Sequence, residues 1–179
     1  MKRIFRFFRS IIWAIHAMIW CLFHGVKYKK GVYIGLHVKK EFRVKLILSR
    51  YSRIAHHTIL WGDGKIEIGE RSSIGSWSRV FASKNGGVTI GNYTMSASHL
   101  YIIDCNHGLK ANELIMKQPM VQKPVIIGND VWMGYHTTIL MGVNLEDGVV
   151  CGACSVVTKS FPKNSIVAGI PAKIIRTRD

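Results

Sequence analysis

The 179-residue sequence predicts an all-β solenoid, a parallel β-helix of six-residue units preceded by one amphipathic helix. Three features carry that expectation. They are an apolar beat every six residues, a single long interruption of that beat, and an opening segment whose apolar side chains recur at helical spacing.

Stepping by six from Ile127 reaches Met133, Ile139, Leu145, Cys151 and Val157, an unbroken series of apolar or small side chains. A helix repeats its buried face every three or four residues and a simple strand every two, so neither accounts for this period. Each unit reads as one short strand and a turn, with three units closing a triangular coil. The repeating position points inward, and a glycine or small polar residue lets the chain turn the corner. The same beat runs through Ile68, Ile74 and Val80 and resumes at Ile90, with Gly69, Gly75, Gly91, Gly128, Gly134 and Gly152 each following a beat. A fainter series, Phe42, Leu48, Ile54, Leu60 and Ile66, extends the coils back to about residue 31. The solenoid is therefore expected over residues 31–176, after a basic N-terminal segment over 1–30.

In that segment Lys2, Arg6, Arg9, Trp13, His16 and Trp20 follow one side of a helix, and Ile4, Phe8, Ile11, Ile15, Ile19 and Leu22 another. Residues 1–50 hold twelve Lys or Arg against the single acid Glu41, so most of the chain's net charge of +15 lies there. No recognition helix, finger or aromatic-basic sheet motif accompanies the charge, so nucleic acid is not the expected partner. An anionic membrane surface suits it better, with the helix lying in the headgroup plane and its Trp and Arg side toward water. A helix packed within an oligomer is the alternative. A secretory signal lacks a clear cleavage site, and the apolar run is short for a membrane span. The expected location is the inner face of the cytoplasmic membrane, peripherally bound.

The beat fails from Asn106 to Gln122, which predicts a protruding loop over residues 106–122. Solenoid insertions of this kind carry binding sites, and His107 stands at the loop's base. The four cysteines include "CGAC" at Cys151 to Cys154. Cys151 falls on the inward position, so packing is the expected role, and no Cys or His cluster completes a zinc pattern.

The run "IIGNDVWMGYHTTILMGVNLEDGVVCGACSVVTKSFPKNSIVAGIPAKII", together with "KPV" and the Asp104 to His107 "D-x-x-H", resembles the hexapeptide-repeat, left-handed β-helix acyltransferases. Within them it most resembles the sugar and polysaccharide O-acetyltransferases related to the maltose and galactoside enzymes. The left hand of the coil is an implication of that resemblance, as are acetyl coenzyme A as cosubstrate, a homotrimer and the absence of a metal. The implied activity is acetyl transfer to a sugar hydroxyl of a cell-surface polysaccharide, lipopolysaccharide or lipid-linked glycan precursor. His107 is then the general base, with Asp104 holding its tautomer or pairing instead with a loop lysine. Ser98 is the candidate oxyanion donor where relatives present an asparagine. Trp132 and Met133 would flank the thioester, Gly134 would allow close approach and Ala153 would line the pantetheine arm. Thr158, Lys159 and Lys173 would face the nucleotide end. His99 is a further candidate for the acceptor, whereas His56, His57 and His136 carry no expected catalytic role.

Other readings survive on the same residues. N-acetylation of a nucleotide-linked amino sugar is the enzymatic alternative, and a non-catalytic trimeric scaffold the structural one. A nucleotidyltransferase would need a further nucleotide-binding domain that residues 1–60 cannot supply, and a carbonic anhydrase a third suitably placed histidine.

Overall fold

A computed structural model describes residues 2–179, with side chains from Ser10 onward. Helix α1 (Lys2–Phe23) precedes a left-handed β-helix of three parallel sheets that form the sides of a prism. The first face stacks Lys27–Tyr28, Lys45–Leu48, Lys65–Ile68, Val88–Ile90, Val125–Ile127 and Asn144–Leu145. The second stacks Tyr33–Ile34, Arg53–Ile54, Ser73–Ile74, Met95–Ser96, Trp132–Met133, Val150–Cys151 and Ser165–Gly169. The third stacks Lys39–Lys40, Ile59–Gly62, Arg79–Ala82, Tyr101–Ile103, Thr138–Ile139 and Val156–Val157. Strand pairing thus begins at Lys27, opposite Ile47, slightly earlier than residue 31.

The six-residue beat is the interior of the prism. Leu48, Ile54, Leu60, Ile66, Ile74, Ile102, Ile127, Met133, Ile139 and Val157 are all fully buried and belong to one continuous core. Each such side chain contributes roughly 2 kcal/mol relative to exposure, and stacking coil on coil gives every one a neighbour above and below. Phe42 departs from the faint early series. It is 78% exposed and lies at a left-handed corner with φ 58°, so it points away from the core that the period assigned it to.

The glycines do a different task from the one expected of them. Gly75 is not at positive φ; instead, a Cβ there would lie 2.2 Å from the carbonyl oxygen of Ala97 on the next coil. Gly31, Gly142 and Gly148 take the left-handed backbone at some corners, but most corners carry it on non-glycine residues, among them His37, His57, Trp77, His99 and His136 between the second and third faces. Their amides stitch coils together: His57 N donates to Leu36 O at 2.9 Å, Trp77 N to His56 O at 3.0 Å and His136 N to Ser98 O at 3.0 Å. Buried hydroxyls close the same turns, as Ser78 Oγ donates to Gly75 O at 2.7 Å and Ser155 Oγ to Gly152 O at 2.7 Å.

Helix α1 closes the first coil, and it does so with the side expected to face water. Trp20 Nε1 donates to Val38 O at 3.1 Å, His16 Nδ1 lies 3.1 Å from Ile34 O, and Trp13 packs on Tyr33 with ring centroids 4.9 Å apart. Ala17 and Cys21 are buried beneath the helix, while Ile12, Ile15, Ile19, Leu22 and Phe23 remain exposed. The indole and imidazole groups satisfy carbonyls that an uncapped coil end would leave open, which is why that side turns inward. The side chains of Lys2, Ile4, Arg6, Phe8 and Arg9 lie outside the described residues. At the other end Ser165–Gly169 and Ala172–Thr177 form an antiparallel pair that returns the chain onto the second face after Pro171.

Candidate active site

Consecutive first-face strands start about one coil apart until Val88, whose partner is Val125. The extra chain leaves at the corner between the third and first faces, after Tyr101–Ile103. Cys105–Asn106 then pairs antiparallel with Val121–Gln122, so the insertion begins as a two-stranded ribbon. His107 is the next residue beyond that ribbon, exposed to solvent, and its ring makes no hydrogen bond among the described residues.

The ribbon is tethered by Asp104, which is fully buried. Its carboxylate accepts from Ser83 N at 2.8 and 2.9 Å, from Ser83 Oγ at 3.0 Å and from Gly87 N. It therefore pins the preceding coil's corner to the base of the insertion, and it touches neither the His107 ring nor Lys110 or Lys117. The expectation that Asp104 orients the imidazole is corrected: backbone donors on the coil below occupy its oxygens. Asp104 positions His107 through the chain instead.

A second anchor escaped the sequence. Gln118, buried within the loop, accepts from Lys110 N at 2.8 Å and donates to the carbonyls of Lys110 and Glu113, each at 2.8 Å. Gln122 Oε1 accepts from Asn85 N at 2.9 Å, adding a further tie to the coil beneath. No period marks these glutamines, because they serve one irregular turn. Around them Leu109, Leu114, Ile115 and Met116 stand exposed on the loop.

Ser98 lies elsewhere. It occupies the corner between the second and third faces, where its carbonyl accepts from His136 N, so the width of the third face separates it from the His107 corner. One chain does not bring the two together. Met133 is also corrected: its side chain is 0% exposed in the core, on the inward beat, and cannot line a surface cleft. Gly134 is required by packing between coils, since a Cβ would sit 2.7 Å from Ala153 N. Trp132 does face outward, 52% exposed.

Around Trp132 lies a shallow cavity of about 450 Å³ with Met95, Val150, Ile166, Arg176 and Arg178 on its walls. Arg178 is held by Asp130 at 2.9 Å, whereas Arg176 is more exposed and only 3.9 Å from Asp179. An apolar floor with guanidinium groups at one end can take a ligand with an apolar arm and an anionic head. Arg176 and Arg178 were missed in the sequence because they lie at the chain's end, beyond the beat. Ala153, Thr158, Lys159 and Lys173 are exposed; Lys173 lies on the returning strand, opposite Ala168. Ala153 sits at the second corner and Thr158 and Lys159 at the third, so these candidates surround the prism instead of sharing one cavity.

Cys21, Cys105 and Cys151 are buried packing groups, whereas Cys154 is exposed at a corner. Burial pushes the Cys21 thiol up to about 11 and the Cys151 thiol up to about 12. Cys105 is raised by burial and then by the nearby carboxylates of Asp104 and Asp63. Among the described residues no group of three or more His, Cys, Asp or Glu side chains is placed to hold a metal ion, and no helix is long and apolar enough to cross a membrane.

No family model matches the chain. It is 42% identical over 97 residues to a lipopolysaccharide biosynthesis O-acetyl transferase, WbbJ, of Escherichia coli, a match covering half of each chain. Over 98% of its length it is 29% identical to the colanic acid biosynthesis acetyltransferase WcaF of the same organism, covering 81% of that protein. The chain spans about half the length of several curated relatives it matches. Among solved structures, galactoside acetyltransferase in complex with coenzyme A is 26% identical, with a TM-score of 0.57, over 84% of this chain and 65% of that one. AntD, an N-acyltransferase from Bacillus cereus, superposes with a TM-score of 0.76 over 90% and 88% at 21% identity, a likeness of fold. With the coil register and the tethered His107 insertion, these matches make the chain similar to WbbJ, WcaF and galactoside acetyltransferase, and its fold is the hexapeptide-repeat left-handed β-helix.

Proposed function

We propose that the chain moves an acetyl group from the thioester of coenzyme A to a sugar hydroxyl on a cell-surface polysaccharide, lipopolysaccharide or lipid-linked glycan precursor. The observation that carries this reading is His107, exposed and without a ring hydrogen bond among the described residues, at the end of a ribbon that Asp104 ties to the coil below. Such a ring is available to an incoming hydroxyl. Imidazole takes the hydroxyl proton, the oxygen attacks the thioester carbonyl, the C–S bond breaks, and the imidazolium returns the proton to the departing thiolate.

Trp132, Val150 and Ile166 would hold the pantetheine arm, with Arg176 and Arg178 toward the phosphates. Lys159, Thr158, Ala153 and Lys173 contribute only if a neighbouring copy closes the cleft, because one chain spreads them over different edges. That requirement, the exposed apolar side chains of the His107 loop and the distance of Ser98 from His107 all favour a homotrimer. Ser98 or a backbone amide of the neighbour would then stabilise the oxyanion.

A second reading, N-acylation of a nucleotide-linked amino sugar, is favoured by the closer backbone match to AntD. An acceptor screen with labelled acetyl coenzyme A, using matched hydroxyl and amino sugars, decides between them. Label on glycan hydroxyls supports the main reading, label on amino groups the second. No label on either class overturns both and leaves a scaffold.

The exposed Ile12, Ile15, Ile19, Leu22 and Phe23 of α1, beside Lys27, Lys29 and Lys30, would place the enzyme on an anionic leaflet. Removing the helix would uncover the first coil, so Ile12→Glu with Ile19→Glu is the sharper test. These substitutions should abolish sedimentation with anionic vesicles and leave transfer to a soluble acceptor intact. Unchanged sedimentation would exclude the membrane role.

A further inference from the structure

The edge between the second and third faces carries a row of rings, of which only His99 has a candidate role above. His37 stacks on His57 with centroids 4.8 Å apart and planes 18° apart; His57 stacks on Trp77 at 4.0 Å and 5°; Trp77 lies over His99 at 6.5 Å and 11°. Each ring belongs to a successive coil, so the row runs parallel to the prism axis with the sheet's own period, about 4.8 Å. A groove of about 490 Å³ follows it, flanked by Lys39 and Arg79 from the third face.

The fold does not require these rings. All four residues hold a left-handed backbone, with φ between 56° and 61°. That conformation costs a side chain about 1–2 kcal/mol and favours Gly, Asn or Asp over large rings. Cys154 occupies the same corner on a later coil with φ 57°, so a small side chain satisfies the geometry. Trp77 is also 55% exposed, which gives up much of the stabilisation its burial would bring. The rings therefore spend strain and exposure on something other than packing.

Their chemistry points to the occupant. Stacking engages the ring faces and keeps the imidazole and indole nitrogens on the ring edges, one ring per coil beside the groove. Lys39 and Arg79 add positive charge, and among the described residues no Asp or Glu lines the groove. Such a surface suits an extended polar chain bearing regularly spaced anions, gripped through its hydroxyls and carboxylates. We infer that this edge binds a segment of an acidic glycan, lying along the solenoid axis with about one sugar unit per coil. The inference rests on the reading of the acceptor as a glycan and names its class: an acidic, extended chain.

Binding can be measured without transfer, by fluorescence anisotropy of labelled oligosaccharides on the full chain in the absence of coenzyme. The probes are a uronic acid hexamer, the neutral hexamer of the same backbone and a polyphosphate of equal charge. The uronate hexamer should bind at least about tenfold more tightly than the neutral one. Trp77→Ala and Arg79→Ala should each weaken it about tenfold, while Lys163→Ala, an exposed cation on a distant corner, changes it less than about twofold. Thermal melting establishes that each variant is folded, and Arg79→Ala serves if Trp77→Ala is not. Equal affinity for acidic and neutral hexamers overturns the inference. So does a Lys163→Ala loss equal to that of Arg79→Ala, or polyphosphate binding as well as uronate, since bulk positive charge would explain either. Dissociation of the oligomer by Trp77→Ala with uronate binding intact would make the row a subunit interface instead. Uronate binding retained in a chain that transfers nothing would fail the acetyltransferase reading and leave this site standing.

Discussion

The regular coils and the His107 insertion are held by opposite means. In the coils two positions in each six are buried, the beat and the residue two before it, every strand repeats its neighbour's register, and loss of any one contact is shared along a continuous core. The insertion has no core of its own. Its base hangs on one buried carboxylate and its turn on one buried amide, those of Asp104 and Gln118. The coils are redundant and therefore rigid; the insertion is specified by single polar residues, which allows the His107 side chain to stand in solvent on a fixed base.

Substitutions should expose that contrast, beginning with the coils. Ile139→Ala removes a fully buried side chain from the centre of the stack and should cost about 3–4 kcal/mol of global stability in chemical denaturation. A loss below about 1 kcal/mol would mean the core relaxes around the cavity. Asp104→Ala strands the amides of Ser83 and Gly87 and should cost about 3 kcal/mol. Its signature differs, because limited proteolysis should cut within residues 107–120 well below the global unfolding midpoint. A uniform loss with no local cleavage would show that the ribbon is held by more than this tether. Trp132→Ala should weaken coenzyme binding about tenfold with little change in melting, since the ring is half exposed. Unaltered affinity in calorimetry would move the coenzyme off the second face. The smallest effect concerns thiols: at pH 8 an alkylating reagent should label Cys154 alone. Cys21 and Cys151 stay protonated, with pKa values pushed up to about 11 and 12, and Cys105 is buried. Rapid labelling of a second cysteine in the folded chain would indicate that the solenoid opens locally.

The same contrast explains what was legible in the sequence. A period repeats, so Ile127, Met133, Ile139 and Leu145 announce the coil long before it is seen. That period already placed Met133 inside, and only its neighbourhood to Trp132 in a resembled motif suggested a ligand contact. Asp104 was legible as a residue near His107 but not as a tether, because its partners lie 17 and 21 residues earlier on another coil. Phe42 falls on the beat by count and off it by conformation, since a left-handed corner reverses the direction a side chain takes. The row of rings did leave a trace. Histidines at 37 and 57, a tryptophan at 77 and a histidine at 99 recur at coil spacing, a longer period than the one sought. The direction of α1 had no such trace, as either side of the helix carries enough apolar surface to be buried.

In the proposed function the insertion presents His107 as a base while the coils bind the coenzyme independently. Single-turnover acetyl transfer by His107→Ala, at saturating acetyl coenzyme A and with coenzyme affinity measured in parallel, tests it most directly. A fall in rate of at least about a hundredfold is expected, with coenzyme affinity and melting temperature unchanged. Near-full transfer by that variant would contradict it.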